Sequence, residues 1–297
     1  MPQVTASPAL CRPLLDWYED AARELPWRAP NAGPWAVLVS EIMLQQTPVA
    51  RVLPAYGPWL ARWPSPTDLA VDSPGAAVRM WGKLGYPRRA LRLHACAVAI
   101  RDRYGGTVPS DVDALLTLPG VGSYTARAVA AFAFGQRVPV VDTNVRRVVA
   151  RAVRGQGAAG PPSTAADLED VRDLLPESAS AAARFSVALM ELGALVCTSR
   201  SPGCAACPIA DRCAWLAGGA PVYSGPRARP ARFAGTDRQV RGLLMDVLRG
   251  TAKPVRKPAL DLAWHDGTQR ERALDSLVAD GLVDPLPDGR YALPGHR

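Results

Sequence analysis

The chain has 297 residues, enough for two domains and a further small piece. Apolar residues at 48% and charged residues at 21% exclude global disorder, and no apolar run reaches the roughly 18 residues that a membrane span needs. Basic residues outnumber acidic ones by 35 to 27, a net charge of +8. That surplus favours a polyanionic partner, because each neutralised phosphate releases counterions; the plain alternative is a charge that serves solubility.

Asp16, Glu19 and Asp20 stand where a secretory signal would need an unbroken apolar stretch, so an intracellular, cytoplasmic protein is expected. Residues 1 to about 220 read as almost wholly helical, with apolar positions at helical spacing and Pro or Gly between them. Cys11 and Cys96 fall in helical stretches and read as small buried hydrophobes. Trp35–Leu44 is an apolar helix with one carboxylate, and Glu41 shares its face with Val37, Leu38, Leu44 and Gln45. A Glu pressed against apolar neighbours is hard to ionise, as a general acid near neutral pH requires. The competing reading is a Glu paired with an Arg or placed at the helix edge.

Asp111–Leu118 reads as a short helix running into Pro119-Gly120-Val121-Gly122; Ser123 then caps a second helix, Tyr124–Phe134, which Gly135 ends. Two glycines allow a tight turn that turns backbone N–H groups toward an anion such as a DNA phosphate. This Leu-Pro-Gly-Val-Gly hairpin positions nucleic acid without reading bases; a plain helical corner is the alternative. Next, the extended run Val138–Val141 leads to Asp142 at the start of another helix. There Asp142 is expected to accept backbone N–H bonds and stay ionised, unlike Glu41. Two carboxyls with pKa values pushed apart suit glycosidic bond cleavage, although Asp142 taken singly reads better as a simple helix cap.

Residues 155–162 form a Gly- and Pro-rich loop. Cys197, Cys204, Cys207 and Cys213 follow with the spacing C-x6-C-x2-C-x5-C, which argues for metal in place of disulfides. The spacing fits a structural zinc or an iron–sulfur centre equally well. Residues 221–232 are a basic Pro-rich linker. Beyond it, 233–297 shows Val240, Leu243, Leu244, Val247 and Leu248 on one helical face and Ala273, Leu274, Leu277 and Val278 on another. Two short strands joined through Asp288-Gly289 close this winged-helix-like module.

Taken together, Leu25-Pro26-Trp27-Arg28, Ser40-Glu41-Ile42-Met43-Leu44-Gln45-Gln46-Thr47, Gly85-Tyr86, the hairpin, Val141-Asp142-Thr143-Asn144 and the four cysteines resemble the MutY-type adenine DNA glycosylases of the helix–hairpin–helix superfamily. The resemblance spans residues 10 to 215 or so, and Glu41-x-x-x-Gln45-Gln46-Thr47 is its most specific part. It implies a mainly α fold: a six-helix barrel domain over 30–140 and an iron–sulfur domain joining 1–29 to 141–220, with DNA bound across the groove between them.

By the same resemblance, Glu41 protonates adenine, Asp142 stabilises the sugar cation, Asn144 lies beside it, and Tyr124 occupies a hairpin-helix position held in this branch by Tyr or Ser. Gln46 and Tyr86 wedge into the base stack, with Thr47 closing that segment. Trp27, Arg28, Leu44 and Glu191 line the adenine pocket, and Gly120, Gly122 and Ser123 hold the DNA backbone. The cysteines hold a 4Fe–4S cluster, with Arg200 and Arg212 in or beside its loop. The partner implied is double-stranded DNA containing a mispaired adenine, met by a monomer with no membrane attachment.

Endonuclease III-like enzymes carry Lys at the place of Tyr124, and the only lysine here before Lys253 is Lys83, so hydrolysis with little or no lyase activity is expected. A mismatch thymine DNA glycosylase and a non-catalytic DNA-binding protein are the other readings. The module at 233–297 is too short for the nucleotide-hydrolase-like domain that most of the family uses to read 8-oxoguanine; Arg238, Arg241 or Arg256 are candidates to touch phosphates instead.

Overall fold

A computed structural model describes residues 7–162, 164–221 and 233–296. The fold is mainly helical, and no helix among these residues is long and apolar enough to cross a membrane. Almost all of the linker expected at 221–232 lies outside the described residues.

The chain forms two compact units. One comprises Met1–Val37, Ser110–Leu116 and Gly122–Arg227; the other comprises Leu38–Pro109, Thr117–Val121 and Ala228–Arg297. By this grouping residues 30–37, 110–116 and 122–140 fall in the cysteine-bearing unit, and the C-terminal module falls in the Leu38–Pro109 unit.

In the cysteine-bearing unit, helices Ser7–Ala21, Thr143–Ala152, Thr164–Leu174 and Ala179–Leu195 surround one core. Val145, Val148, Val149 and Ala152 recur at helical spacing and meet Leu10, Leu14, Phe185, Leu189 and Leu192. Ile209 and Cys213 bring the cysteine loop into that core. Cys11 is only half-buried, because it lies at the edge of its helix's apolar stripe, so the expectation of a buried position fails for it.

In the other unit, helices Val49–Arg62, Pro66–Val71, Pro74–Trp81 and Arg88–Tyr104 pack round a tryptophan cluster. The Trp59 ring meets Trp63 and Trp81 edge-on at 4.6 and 5.6 Å between centroids. Cys96 is fully buried here, and burial pushes its thiol up to about 12.

The C-terminal module runs helix Asp237–Arg249, strand β1 (Val255–Arg256), helices Lys257–Asp261 and Gly267–Ala279, then strands β2 (Asp284–Pro285) and β3 (Arg290–Ala292). The sheet is antiparallel in the order β1-β3-β2. The two expected helices and the strand pair round Asp288-Gly289 are joined by a further strand and a short helix; two residues of strand leave no periodicity to read. The module is fastened to helix Pro74–Trp81. Gly75 N–H donates to the Pro294 carbonyl at 2.8 Å, and Arg79 donates to the Arg249 carbonyl at 2.8 Å. A Cβ on Gly75 would come within 2.6 Å of the Pro294 oxygen, so only glycine allows this approach.

Candidate active site

Glu41 lies in helix Pro34–Leu44, where every neighbour of Trp35–Leu44 in sequence is apolar apart from Ser40, and it is 5% exposed. The helix stops at Leu44, and Gln46 turns back with φ of 54°, a left-handed conformation that a non-glycine side chain adopts only under constraint. Tyr86, on a second loop, does the same at φ 47°.

The constraint is Arg89, 6% exposed. Its Nη1 donates to the carbonyls of Ile42, Met43 and Gln45 at 3.0, 2.8 and 2.6 Å; its Nη2 donates to Thr47 Oγ1 at 2.7 Å and the Gly85 carbonyl at 3.1 Å. One guanidinium thus satisfies the open carbonyls at the end of the Glu41 helix and binds both left-handed loops to it. Burial lowers the Arg89 pKa to about 10, still far above neutral, so the charge persists. Gln46 and Tyr86 are exposed at the loop tips, while Thr47 is buried as an acceptor for Arg89 and Leu44 is half-buried.

The hairpin forms as read, with the helices at Val112–Leu116 and Ser123–Phe134. Gly120 takes φ of 80° and closes against Arg92. Ser123 is not the cap: it is the first helical residue, Gly122 holds the cap position, and Ser123 Oγ accepts from Arg127 Nη1 at 2.6 Å. No side chain caps this helix N-terminus, the end whose N–H groups and dipole favour an anion. Tyr124 packs against the cluster of Ala128, Ala131 and Val140.

Asp142 is the N-cap of helix Thr143–Ala152 and accepts from Val145 N–H at 2.7 Å and Asn144 Nδ2 at 2.8 Å. Burial nevertheless dominates and raises its pKa above 3.8; those bonds and the nearby Arg147 charge offset it only in part. Asp142 thus accepts the backbone N–H bond expected of it but is not bathed in water: it shares burial with Glu41 and differs in having donors aimed at it.

Arg147 carries this network onward. It donates to Asn144 Oδ1 at 2.7 Å, to the Gly193 carbonyl at 2.6 Å and to the Cys197 carbonyl at 2.7 Å. A Cβ on Gly193 would lie 2.6 Å from Asn144 Cβ and 2.9 Å from its carbonyl oxygen. Gly193→Ala gains helix propensity but meets backbone that cannot yield, so a net loss of about 1–3 kcal/mol is expected in denaturant unfolding.

Glu191, fully buried in helix Ala179–Leu195, accepts from Arg23 Nε at 2.7 Å, Arg23 Nη2 at 2.8 Å and Arg28 Nη2 at 3.0 Å. Burial alone would raise its pKa, but the hydrogen bonds from Arg23 and Arg28 and the Arg28 charge hold it down to about 2. Its oxygens are thus committed to arginines, and they hold Arg28 where it follows buried Trp27 in the turn Pro26–Arg28. Arg28 Nη1 is a buried donor with no acceptor among the described residues.

Arg23, Arg89, Arg147 and Gly193 escaped the sequence. Only Arg89 left a trace there: an arginine in the first turn of a helix opposes the dipole and asks for another purpose.

The four cysteines are free thiols round the loop 197–213. Arg151, 5% exposed, donates to Cys197 Sγ at 3.3 Å and to the Thr198 carbonyl at 2.7 Å. Burial first, and then the neighbouring Cys197 and Cys213, raise the thiol pKa of Cys204 and Cys207, so the sulfurs share one neighbourhood. Among the described residues no group of three or more His, Cys, Asp or Glu closes on a point that a single metal ion would fill. Arg200 and Arg212 are exposed on this loop.

Residues 39–173 match the HhH-GPD superfamily base excision DNA repair protein family. The chain is 56% identical to an adenine DNA glycosylase of Mycobacterium tuberculosis, over 99% of both chains. It is 57% identical to an adenine DNA glycosylase of Mycolicibacterium smegmatis, over 95% of both. Among solved structures, a thermostable thymine-DNA glycosylase superimposes with a TM-score of 0.65 at 28% identity, covering 71% of this chain and 96% of that one.

Proposed function

The chain belongs to the adenine DNA glycosylases of the helix–hairpin–helix base excision repair superfamily, and from that premise we propose that it hydrolyses the N-glycosidic bond of adenine mispaired with 8-oxoguanine or guanine. The observation that carries this reading is the pair of carboxyls: Glu41 buried on an apolar helix, and Asp142 held by an amide and a helix N-terminus.

A carboxyl in surroundings like those of Glu41 keeps its proton more readily than one in water. It gives that proton to the imidazole ring of the extruded adenine as the bond to C1′ breaks, so the electron pair leaves with a neutral base. Asp142, ionised and oriented by Asn144, stabilises the oxocarbenium-like sugar until water adds at C1′ and passes its proton back to the Glu41 carboxylate, which restores the acid. The base must leave the stack to reach such groups, which assigns Gln46 and Tyr86 to the vacated space and the spare donor of Arg28 to the purine edge.

Cys197, Cys204, Cys207 and Cys213 hold a 4Fe–4S cluster in this reading. Four soft sulfur ligands grouped round one loop, with the Arg151 guanidinium beside Cys197 Sγ to offset their charge, suit such a centre. When bound, the cluster supplies a rigid tie for the loop that carries Arg200 and Arg212. The protein acts as a cytoplasmic monomer, held at the nucleoid by DNA.

Tyr124 offers no amine for a Schiff base. A duplex with adenine opposite guanine is therefore expected to break at the adenine site only after alkali, and borohydride is expected to trap no protein on abasic DNA. Strand cleavage without alkali, together with efficient trapping, would contradict monofunctional hydrolysis.

A further inference from the structure

Tyr86 does not stand alone at the tip of its loop. The guanidinium of Arg238, from the C-terminal module, lies over its ring at 4.6 Å, and the exposed ring of Phe233 is 5.9 Å from the same guanidinium. The turn that presents Arg238 is firmly built. Thr236 Oγ1 donates to the Phe233 carbonyl at 2.7 Å, Gly235 N–H donates to Gln239 Oε1 at 2.7 Å, and Gln269 Nε2 donates to both the Gly235 carbonyl and Asp237 Oδ1 at 3.0 Å.

Other arginines of the module are spent on internal pairs: Arg241 with Asp280, Arg249 with Asp246, Arg270 with Asp261, Arg272 with Asp237 and Arg290 with Asp288. Arg241, a candidate phosphate ligand, is thereby removed, and Arg270 and Arg272 leave helix Gly267–Ala279 without a free cation. Arg256 is exposed at strand β1 and is not among the guanidinium groups that lie over the Tyr86 ring. Arg238 makes no hydrogen bond or ion pair among the described residues and keeps its planar set of N–H donors open against an aromatic face.

Resting on the reading of Tyr86 as the wedge, we propose that Arg238 determines which base is accepted opposite the extruded adenine, by donating to the O6 oxygen of a guanine-type base. A wedge lies in the plane of the base stack. A guanidinium 4.6 Å over its ring therefore lies about one layer away, at the level of a neighbouring base and within reach of that base's edge. Arginine is suited to this: its fork matches the O6 and N7 edge of guanine, and such a contact discriminates between bases by about tenfold or more.

The test is equilibrium binding of the full chain to duplexes that carry an unreactive adenine nucleoside analogue opposite guanine, 8-oxoguanine or 2-aminopurine, which lacks O6. The wild-type protein is expected to bind the two O6-bearing duplexes about tenfold more tightly than the third. Arg238→Met, which keeps the stem on Tyr86 but removes the donors, is expected to erase that preference with an unchanged melting temperature. Retention of the preference by Arg238→Met overturns the proposal, as does its absence from the wild type. An equal loss on all duplexes with a shallower salt dependence also overturns it, because that marks a phosphate contact. Tyr86→Ala separates the premise: wild-type affinity there sinks the wedge reading itself, whereas weakened binding by Tyr86→Ala beside an unaltered Arg238→Met sinks only the role of Arg238.

Discussion

Glu41→Gln is expected to slow single-turnover adenine release about a thousandfold while leaving affinity for the mispaired duplex within about twofold. Glutamine has the shape of a protonated glutamate and keeps a carbonyl and a donor, so a side chain that is 5% exposed in an apolar helix fits as before. What disappears is the transferable proton. Without it, adenine leaves as an anion, and no neighbouring residue of the same helix can replace the acid, because Ser40 is its only other polar member between Trp35 and Leu44. Equal rates for the two proteins would remove Glu41 from the chemistry. A parallel loss of rate and affinity would make it a structural residue of the base pocket.

Glu191→Ala is expected to cost about 3–5 kcal/mol of stability, because it leaves the guanidinium groups of Arg23 and Arg28 together with no anion between them. The same site imposes a pH dependence. The carboxyl is held down to about 2 in the folded chain against its ordinary 4.5. Its folded pKa is depressed, so its stabilisation is complete above about pH 5 and is lost as pH falls from 4.5 towards 2. The shift corresponds to about 3 kcal/mol, an upper figure because Arg23 keeps a third of its side chain in water, where screening weakens the pair. Urea unfolding of the wild type and Glu191→Gln across pH 3 to 7 checks this. The variant is expected to lack that part of the acid sensitivity, and identical pH slopes would show that the ion triad contributes nothing.

Legibility in the sequence followed the range of the interaction. The Trp35–Leu44 helix, the Gly120 turn, the Asp142 cap and the grouping of the cysteines are set by neighbours within a few residues, and spacing reveals them. The contacts that fix the site span far larger separations: Arg89 to Ile42, Arg23 to Glu191 and Arg147 to Gly193. An arginine that serves carbonyl oxygens leaves no partner residue type to search for, since every residue has a carbonyl. The same limit explains Asp142: its hydrogen bonds were foreseeable from a cap motif, but the burial that outweighs them is a property of the packed unit. The Ser123 cap failed for a local reason, as Gly122 is extended enough to take the cap position itself and leaves the serine to Arg127.

The most direct measurement is identification of the free base released in one turnover from otherwise identical duplexes bearing A·8-oxoguanine, A·G, T·G and A·T. An enzyme that works through Glu41 and Asp142 on an extruded purine yields free adenine from the first two and nothing comparable from A·T. Release of thymine from T·G in preference to adenine, or of no base from any duplex, would contradict it.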